Sequence, residues 1–368
     1  MNIGIVTWLG TGNFGTSLQS YALHEFLKQR GYNVYLIKEF SDNDFTPKNR
    51  LKHYINRKKS FIKIFIKSLI YKTNEQKIYS FNKKNYNLKE IANKKQKKQL
   101  VDDTDIFITG SDQIWNCYNS FSPFMFLSFA EKKKRIAYAS SIGTKEFPPF
   151  CAEEVKKLLT CFQHIGVREK SIVKYLNDFL GRRDVTQVLD PTFLLNANQW
   201  INFSNKANIN ITVSNNKYIF CYFIGRNPIY AEQLDVIRKS TKINNVILIP
   251  SLEYNDINFK NCTIYKKAGP YEFAKLLKDS SLVCTDSFHA CALSINLSKE
   301  FIVFKRFNDD DPKSQNSRIY DMLSAYNLEG NIYDKNFIFS KTNYEPIQTK
   351  LNIDRNNSIN YLISSISK

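Results

Sequence analysis

The sequence predicts an α/β protein with two domains that face each other across a cleft. Short apolar runs alternate with helical stretches along most of the 368 residues, as in parallel sheets covered by helices. A chain of this length exceeds what one hydrophobic core usually serves, and a polar stretch at 202–216 separates two such alternating regions. We therefore expect a first domain over residues 1–205, a second over 215–345, and a helical tail over 346–368.

The composition is that of a globular protein. Hydrophobic residues make up 43% of the chain and aromatic residues 14%, which is enough for a packed core. Because the sequence has no signal-peptide pattern and no uncharged apolar run of about 18 residues, we expect a cytoplasmic protein. The seven cysteines are scattered, without a CxxC pair or a histidine cluster at ligand spacing. We expect neither a disulfide framework nor a metal site.

The positive charge is concentrated in one segment. The net charge is +19, and residues 48–98 contain 17 Lys or Arg against two acids, so this basic segment carries +15 and the rest of the chain +4. Within it, residues 61–71 can form a helix that is apolar over most of its circumference, suited to a membrane or to the protein's own core. No nucleic-acid motif accompanies the charge, so we expect no nucleic-acid partner.

The first half of the chain shows the alternation that predicts a parallel sheet. The run 3–8 predicts a strand, and apolar positions at helical spacing predict a helix over 16–30 that stops at Gly31. Further apolar runs predict strands at 33–37, 105–109, 135–140 and 165–167, and a strand end at 188–191.

The second half repeats the pattern. Apolar runs predict strands at 218–224, 246–250, 281–285 and 301–304, and helical spacing predicts helices at 229–240, 271–279 and 318–326. In open parallel sheets, ligands bind beyond the carboxyl ends of the strands. The polar motifs of this sequence fall at such ends.

The first of these motifs is a glycine loop. Gly10, Gly12 and Gly15 spell GxGxxG between a strand and a helix, and Glu39 ends the following strand, as in dinucleotide-binding folds. Glycines let a backbone approach a ligand closely, and the free amides of a helix N-terminus attract anions or hydroxyl groups. The loop is therefore a tight turn, a ligand contact or a dinucleotide site.

The second motif, TGSDQIWN at 109–116, suits a sugar. Asp112, Gln113 and Asn116 offer hydrogen bonds to hydroxyls, and the Trp115 indole can cover a sugar face. Asp112 can also accept a proton from an attacking hydroxyl. The alternative is that Asp112 caps a helix and Trp115 belongs to the core.

The third motif, TDSFH at 285–289, contains the strongest catalytic candidate. His289 follows a strand at the start of a helix, where backbone amides can bind an anion. The alternative is a histidine that is hydrogen-bonded to Asp286. Arginines and lysines at strand ends indicate an anionic substrate, although each taken singly can be a surface charge: Arg168, Arg226, Lys305, Arg306 and Arg318.

Taken together, the motifs resemble one known family, the polysaccharide pyruvyl transferases. They occur in order over roughly residues 1–325: NFGTSLQSYAL, ITGSDQIWN, RIAYASSIG, GVREKSIVKYL, LDPTFLL and TDSFHACALSI. The resemblance implies two Rossmann-like domains of the glycosyltransferase-B-like kind. It also implies transfer of the enolpyruvyl group of phosphoenolpyruvate onto a sugar as a cyclic ketal, with release of phosphate.

The resemblance also implies roles for the candidate residues. His289 matches the family's histidine in the second domain and would be the general acid, with Asp112 as the proton acceptor. Phosphoenolpyruvate would bind the second domain through Arg226, Lys305 and Arg318, which we favour over Arg168 because Arg168 lies in the first domain. Many relatives have arginine where this chain has Ser287, and we expect Arg318 to replace it. The acceptor would bind the first domain, at Gly12, Asn13, Gln19, Gln113, Trp115 and Asn116.

Two other functions remain open from the sequence, a glycosyltransferase that uses a nucleotide sugar and a non-catalytic glycan-assembly protein. For the pyruvyl transferase we expect no cofactor besides the donor substrate. We expect the acceptor to be a bacterial exopolysaccharide or capsule precursor. A lipid-linked acceptor at the inner face of the membrane would give the basic segment a partner, since anionic leaflets attract polybasic segments. The sequence does not indicate the oligomeric state.

Overall fold

In the computed structural model, the described residues are 1–9, 12–41, 74–130, 132–209, 211, 217–251, 259, 261–309, 314–335 and 337–367. The expected helix at 61–71 and Gly10 lie outside these ranges. Within them, every helix is too short or too polar to span a bilayer.

The first domain is built on a seven-stranded parallel sheet. Its strands are β1 Asn2–Val6, β2 Asn33–Ile37, β3 Leu88–Lys89, β4 Ile106–Thr109, β5 Lys134–Ser140, β6 His164–Val167 and β7 Thr186–Gln187. Their order is β3-β2-β1-β4-β5-β6-β7. Helices cover both faces, which explains why the central strands are continuous apolar runs rather than alternating ones.

The first five helices of this domain lie between its successive strands along the chain, and the sixth follows the last strand. They are α1 Phe14–Lys28, α2 Asn74–Asn85, α3 Lys94–Asp103, α4 Pro149–Leu159, α5 Lys170–Leu180 and α6 Ala197–Ser204. The sequence predicted a strand end at 188–191, but Asp190 caps and Pro191 begins a short 3₁₀ helix at Pro191–Phe193. The predicted strand end therefore lies a few residues too late.

The second domain repeats the architecture with five parallel strands. These are β8 Ile219–Tyr222, β9 Val246–Leu248, β10 Thr263–Ile264, β11 Leu282–Thr285 and β12 Phe301–Val303, in the order β10-β9-β8-β11-β12. The helices are α7 Tyr230–Thr241, α8 Pro270–Asp279, α9 Phe288–Asn296, α10 Ser317–Ala325 and α11 Tyr344–Ser367. The predicted α/β class with two Rossmann-like domains is confirmed.

The two domains meet through an apolar interface. The Phe14 ring of α1 stacks on Phe273 of α8 at a centroid distance of 5.0 Å and meets the edge of Tyr222 at 5.6 Å. One core cluster includes side chains of both sheets, among them Ile5 and Phe220. Because apolar interfaces of this kind resist relative motion, the arrangement of the domains is fixed by packing.

Helix α11 returns from the second domain to the first. Its Arg355 Nε donates to the Phe193 carbonyl at 2.6 Å, and its Tyr361 hydroxyl donates to the Ala137 carbonyl at 3.3 Å. The expected helical tail is thus a helix that joins the domains a second time.

Candidate active site

The candidate site lies where the strand order of both sheets reverses. This reversal falls between β1 and β4 in the first sheet and between β8 and β11 in the second. The loops that leave the carboxyl ends of neighbouring strands diverge there and open a crevice. The predicted motifs follow β1, β4 and β11, so the fold brings them to the same region.

His289 is buried in the first turn of α9. Ser287 caps this helix, and its Oγ accepts a hydrogen bond from the Ala290 amide at 3.5 Å. The imidazole reaches across the domain interface, and its Nε2 lies 3.5 Å from Asp190 Oδ2. The histidine from the second domain therefore faces a carboxylate from the first.

Asp286 is not the partner of His289, in contrast to the alternative raised from the sequence. Its carboxylate accepts hydrogen bonds from the amides of Ile224 and Gly225, both at 2.6 Å, and from the Tyr230 hydroxyl at 3.1 Å. Burial raises the pKa of Asp286 despite these bonds. Asp286 fixes the loop after β8.

Asp190 is fully buried and held from several sides. Its Oδ1 accepts from the Thr192 amide at 3.0 Å and hydroxyl at 2.7 Å, and its Oδ2 accepts from Ser111 Oγ at 3.2 Å and Arg168 Nη1 at 3.3 Å. Burial raises the pKa of this carboxyl, but His289 and Arg168 outweigh burial and hold the pKa well below its usual range. Asp190 is therefore ionised.

Asp190 is a site residue that the sequence motifs do not single out. It stands in the motif LDPTFLL, at the predicted strand end. An acidic side chain between an apolar strand and a proline, at the carboxyl edge of a parallel sheet, is the signal that could have identified it.

Arg168 is a buried cation among three carboxylates. Its Nε lies 3.0 Å from Glu169 Oε1, and its Nη1 lies 3.5 Å from Asp112 Oδ1 as well as 3.3 Å from Asp190. Burial lowers the pKa of the guanidinium, but the carboxylates raise it more. Its Cζ also lies 4.3 Å from the ring centroid of Phe288 in the second domain. Arg168 belongs to the first domain, yet the fold places it against α9 of the second domain, so its domain does not separate it from the site.

Asp112 is the second site carboxylate of the first domain. Thr16 Oγ1 donates to its Oδ2 at 3.4 Å, and 14% of its side chain remains exposed. Burial raises its pKa, while His289, Arg168 and Arg318 lower it to a greater extent. The carboxylate is therefore ionised and can accept a proton. It caps no helix, since the residues that follow it form turns.

Arg318 lines a cavity of about 320 Å³ between the domains. The cavity is bounded by polar side chains from the loop after β5, the start of α5 and the start of α10: Thr144, Lys145, Glu169, Ser171, Ser317, Arg318 and Asp321. Arg318 donates to the carbonyl and side chain of Gln315, at 3.3 and 3.1 Å. Burial and the neighbouring Arg168 lower its pKa to about 10, so it remains charged at neutral pH.

The other predicted cations of the second domain lie at the surface. Arg226 is exposed after β8, and Lys305 is exposed after β12 with its Nζ 2.8 Å from Asp309 Oδ2. Arg306 is half-buried, and its electrostatic field reaches Asp286 and Arg318. Lys305 already has a carboxylate partner, which makes Arg306 the better-placed cation of this pair.

The residues of the glycine loop divide into structural and site positions. Gly12 is half-buried, and Asn13 caps α1, with its Oδ1 accepting from the Gly15 amide at 2.8 Å. Gln19 is fully buried and joins the strand ends, donating to Thr7 Oγ1 at 2.9 Å and accepting from the Ser111 amide at 3.2 Å. Gln19 therefore has protein partners for both ends of its amide.

Gly15 contacts the candidate acid directly. A Cβ added to Gly15 would lie 2.3 Å from His289 Nδ1. Glycine at this position lets α1 and α9 approach each other. Glu39, the acid that a dinucleotide site would use, is exposed and accepts from Ser122 Oγ at 2.6 Å.

The residues of the second motif also divide into site positions and a core position. Gln113 and Asn116 lie against Gly143, where an added Cβ would meet their amide nitrogens at 2.6 and 2.5 Å. Gln113 is half-buried, and its Nε2 has no hydrogen-bond partner among the described residues. Trp115 is fully buried and stacks on Phe126 at 5.6 Å, so its indole face is not open to a sugar. For Trp115, the structure corresponds to the core alternative.

The described part of the chain contains no group of three or more His, Cys, Asp or Glu side chains that could hold a metal ion. Of the charged groups of the site, Glu169 and Arg318 line the cavity of about 320 Å³, and Arg168 joins Glu169 to Asp112 and Asp190.

Comparison with known proteins identifies both a family and a fold. A family model described as polysaccharide pyruvyl transferase matches residues 13–306. Among curated proteins, none matches this sequence. A UDP-GlcNAc 2-epimerase structure from Neisseria meningitidis aligns over 100% of this chain and 99% of its own, with a TM-score of 0.52 and 10% identity. A structure from Listeria monocytogenes described as a UDP-N-acetylglucosamine 2-epimerase aligns over 98% and 87%, with a TM-score of 0.53 and 11% identity. These structures show the fold, a pair of Rossmann-like domains of the glycosyltransferase-B type.

Proposed function

The chain belongs to the polysaccharide pyruvyl transferase family, and from this membership we propose that it forms a cyclic pyruvate ketal from phosphoenolpyruvate on a sugar of a surface-polysaccharide precursor. In this reaction the first sugar hydroxyl adds its oxygen to C2 of the donor, and the methylene carbon takes a proton to become a methyl group. The second hydroxyl then displaces phosphate, which leaves with the proton of that hydroxyl.

One observation carries the proposal. His289 from the second domain lies among the ionised carboxylates of Asp112 and Asp190 and the buried Arg168 of the first domain. In the proposed reaction, His289 protonates the methylene carbon. Asp112 accepts the proton of an attacking hydroxyl, since its lowered pKa keeps it ionised.

The charge around the site supports an anionic donor. Phosphoenolpyruvate carries a carboxylate and a phosphate, and such groups bind guanidinium groups and the amides at helix N-termini. We assign Arg318, which lines the cavity, to donor binding together with the capped N-terminus of α9 at Ser287, and we keep Arg226, which is exposed after β8, as the second predicted donor contact. Arg168 is engaged with carboxylates and balances their charge, and Lys305 has the weakest case because it is paired with Asp309.

For the acceptor, the polar cavity beside Arg318 favours a hydroxyl-rich group. Glu169, Ser171 and Asp321 line it, and Gln113 lies beside Gly143 on its rim. The donor substrate already carries the activated group, so the proposal includes no separate cofactor.

We further propose that the basic segment contacts an anionic membrane surface, where a lipid-linked acceptor would reside. In its described part, Lys83 and Lys84 lie in the last turn of α2. Lys94, Lys95 and Lys98 of α3 are exposed. Each lysine close to an anionic leaflet adds about 1 kcal/mol of attraction.

Thermal melting with candidate ligands tests the donor. A ligand at 100 times its dissociation constant adds about 2.7 kcal/mol of stability. Phosphoenolpyruvate should raise the melting temperature of the wild-type protein, and Arg318→Ala should reduce this shift. Arg183→Ala is the matched control, because Arg183 is exposed and lies outside the site.

Inorganic phosphate, UDP, UDP-GlcNAc and NAD serve as competing ligands in the same experiment. A shift with UDP or UDP-GlcNAc and none with phosphoenolpyruvate would reject the donor assignment and favour a nucleotide-sugar transferase.

A further inference from the structure

Asp190 and His289 form a pair across the domain interface that the predicted roles do not include. Asp190 follows β7 in the first domain, and His289 begins α9 in the second, with Asp190 Oδ2 3.5 Å from His289 Nε2. We propose that Asp190 is the positioning residue for His289: it keeps a proton on Nε2, so that Nδ1 is the atom that gives and regains the catalytic proton. This inference rests on the proposed role of His289 as general acid.

Burial supports the assignment of the two ring nitrogens. Nε2 is buried and makes no hydrogen bond among the described residues. The ionised carboxylate of Asp190 lies 3.5 Å away. A lone pair on Nε2 facing this carboxylate would be repelled, and a proton there would be attracted. The neutral imidazole should therefore carry its proton on Nε2.

The environment of Asp190 explains why this carboxylate can act as a fixed anchor. Four hydrogen bonds, two from Thr192 and one each from Ser111 and Arg168, determine its orientation. It cannot rotate away from His289 without breaking hydrogen bonds in a buried site, where an unpaired polar group is destabilising.

The other edge of the imidazole faces the start of α1. Nδ1 lies beside Gly15, at 2.3 Å from the position that a Cβ would take. In the protonated ring, Nε2–H stays with Asp190 while Nδ1–H passes its proton to the donor's methylene carbon. The neutral ring then regains a proton at Nδ1 from the sugar hydroxyl, directly or through Asp112, so the protons balance over one turnover.

The Nε2 anchor exists only because the domains are docked. Phe14 of α1 packs on Phe273 of α8 and Tyr222 of β8, and these contacts hold α1 against the second domain. The positioned acid is thus a property of the interface and of neither domain alone.

Nitrogen-15 NMR of the wild-type protein labelled in its histidine rings gives the first test. The neutral His289 ring should show a protonated Nε2 and an unprotonated Nδ1. Assignment uses His289→Gln, which removes only this signal. The opposite tautomer in the wild-type protein would overturn the proposal, whether or not any Asp190 variant folds.

Asp190→Asn gives the second test. The amide keeps the shape but removes the charge, so we expect the tautomer to change to Nδ1–H and kcat to fall about 100-fold or more, with an unchanged dissociation constant for phosphoenolpyruvate. Asp286→Asn is the matched control for the tautomer, because Asp286 is also buried, just before α9, and its carboxylate is held by the amides of Ile224 and Gly225. A folded Asp190→Asn protein that retains the wild-type tautomer would also overturn the proposal.

These results separate the inference from the proposed function. If phosphoenolpyruvate does not bind the wild-type protein, the donor assignment fails, whereas the tautomer still reports on Asp190 and His289. If phosphoenolpyruvate binds and the tautomer is Nδ1–H, only the positioning role fails.

Discussion

Gly15 is the residue at which the contact between α1 and α9 can be tested most directly. A methyl group there would lie 2.3 Å from His289 Nδ1 and 2.7 Å from Cγ, closer than atoms can pack. Gly15→Ala should therefore lower the unfolding free energy by about 1–3 kcal/mol, the usual cost of overpacking, and reduce pyruvyl transfer more than tenfold. Thermal melting and phosphate release from phosphoenolpyruvate measure the two effects.

Gly330→Ala is the matched control, since an added Cβ at Gly330 meets no atom within 4 Å. We expect this variant to melt and react like the wild type. Equal behaviour of the two alanine variants would contradict the close approach of α1 to the imidazole.

Asp190 should make the folded state sensitive to acid. Its pKa in the folded protein lies below the unfolded value of about 3.9. Its contribution to stability is therefore complete at neutral pH and is lost as the pH falls through the acidic range towards the folded pKa. Urea unfolding at pH 7, 5, 4 and 3 should show a smaller acid-dependent loss for Asp190→Asn than for the wild type.

Asp286 gives a contrast of opposite sign, because burial raises its pKa in the folded state. Its ionisation opposes folding, so protonation of Asp286 at low pH stabilises the wild-type protein. Asp286→Asn should lose this gain in unfolding free energy as the pH falls. Parallel pH profiles of the wild type and Asp190→Asn would contradict the coupling of Asp190 to His289 and Arg168.

Individual residues were predictable from the sequence when their position in a strand-end motif was informative. His289, Asp112 and Arg168 were chosen because each follows a strand, and the structure brings these three together. Trp115 and Gln19 belong to the same motifs but have buried, structural contacts. The motif does not distinguish these cases, because a side chain's direction depends on the loop conformation.

At the scale of elements, α3 provides a test of membrane contact. Replacing Lys94, Lys95 and Lys98 by Glu changes the charge by −6 on an exposed surface. With about 1 kcal/mol of attraction per lysine near the surface, co-sedimentation with vesicles containing anionic lipid should fall strongly, and salt should weaken the wild-type binding.

The matched control reverses three exposed lysines elsewhere: Lys156, Lys157 and Lys174. If this control variant loses vesicle binding equally, net charge rather than the basic segment is responsible. If neither variant changes binding, the proposed contact is wrong.

Elements were predictable in proportion to their apolar periodicity. Helix α1 and strands β1, β2 and β4 match their predictions within about two residues. The edge strands β3 and β10 were missed because two residues contain no period, and α3 was missed because only Leu100 and Val101 of its ten residues are buried.

At the scale of the whole molecule, the apolar interface predicts that both domains unfold together. Phe273 is fully buried, stacks on Phe14 and contacts Phe220 edge-on. Phe273→Ala should lower stability by about 3–5 kcal/mol and shift one calorimetric transition without splitting it. Ile338→Ala is the control, since Ile338 is 84% exposed and should not shift the transition. Two resolved transitions in the wild-type protein would contradict a shared core.

The sequence by itself determined the α/β class with two Rossmann-like domains and the family, and it predicted His289 as a candidate site residue. These features depend on residues that are close together in the sequence, because apolar periodicity, strand ends and motifs each span only a few neighbouring positions. Tertiary structure alone decided that Asp190 rather than Asp286 faces His289, that Arg168 joins the site, and that Gly15 contacts the imidazole. Those contacts join residues about 100 to 270 positions apart, and their geometry is set by how the two sheets pack against each other.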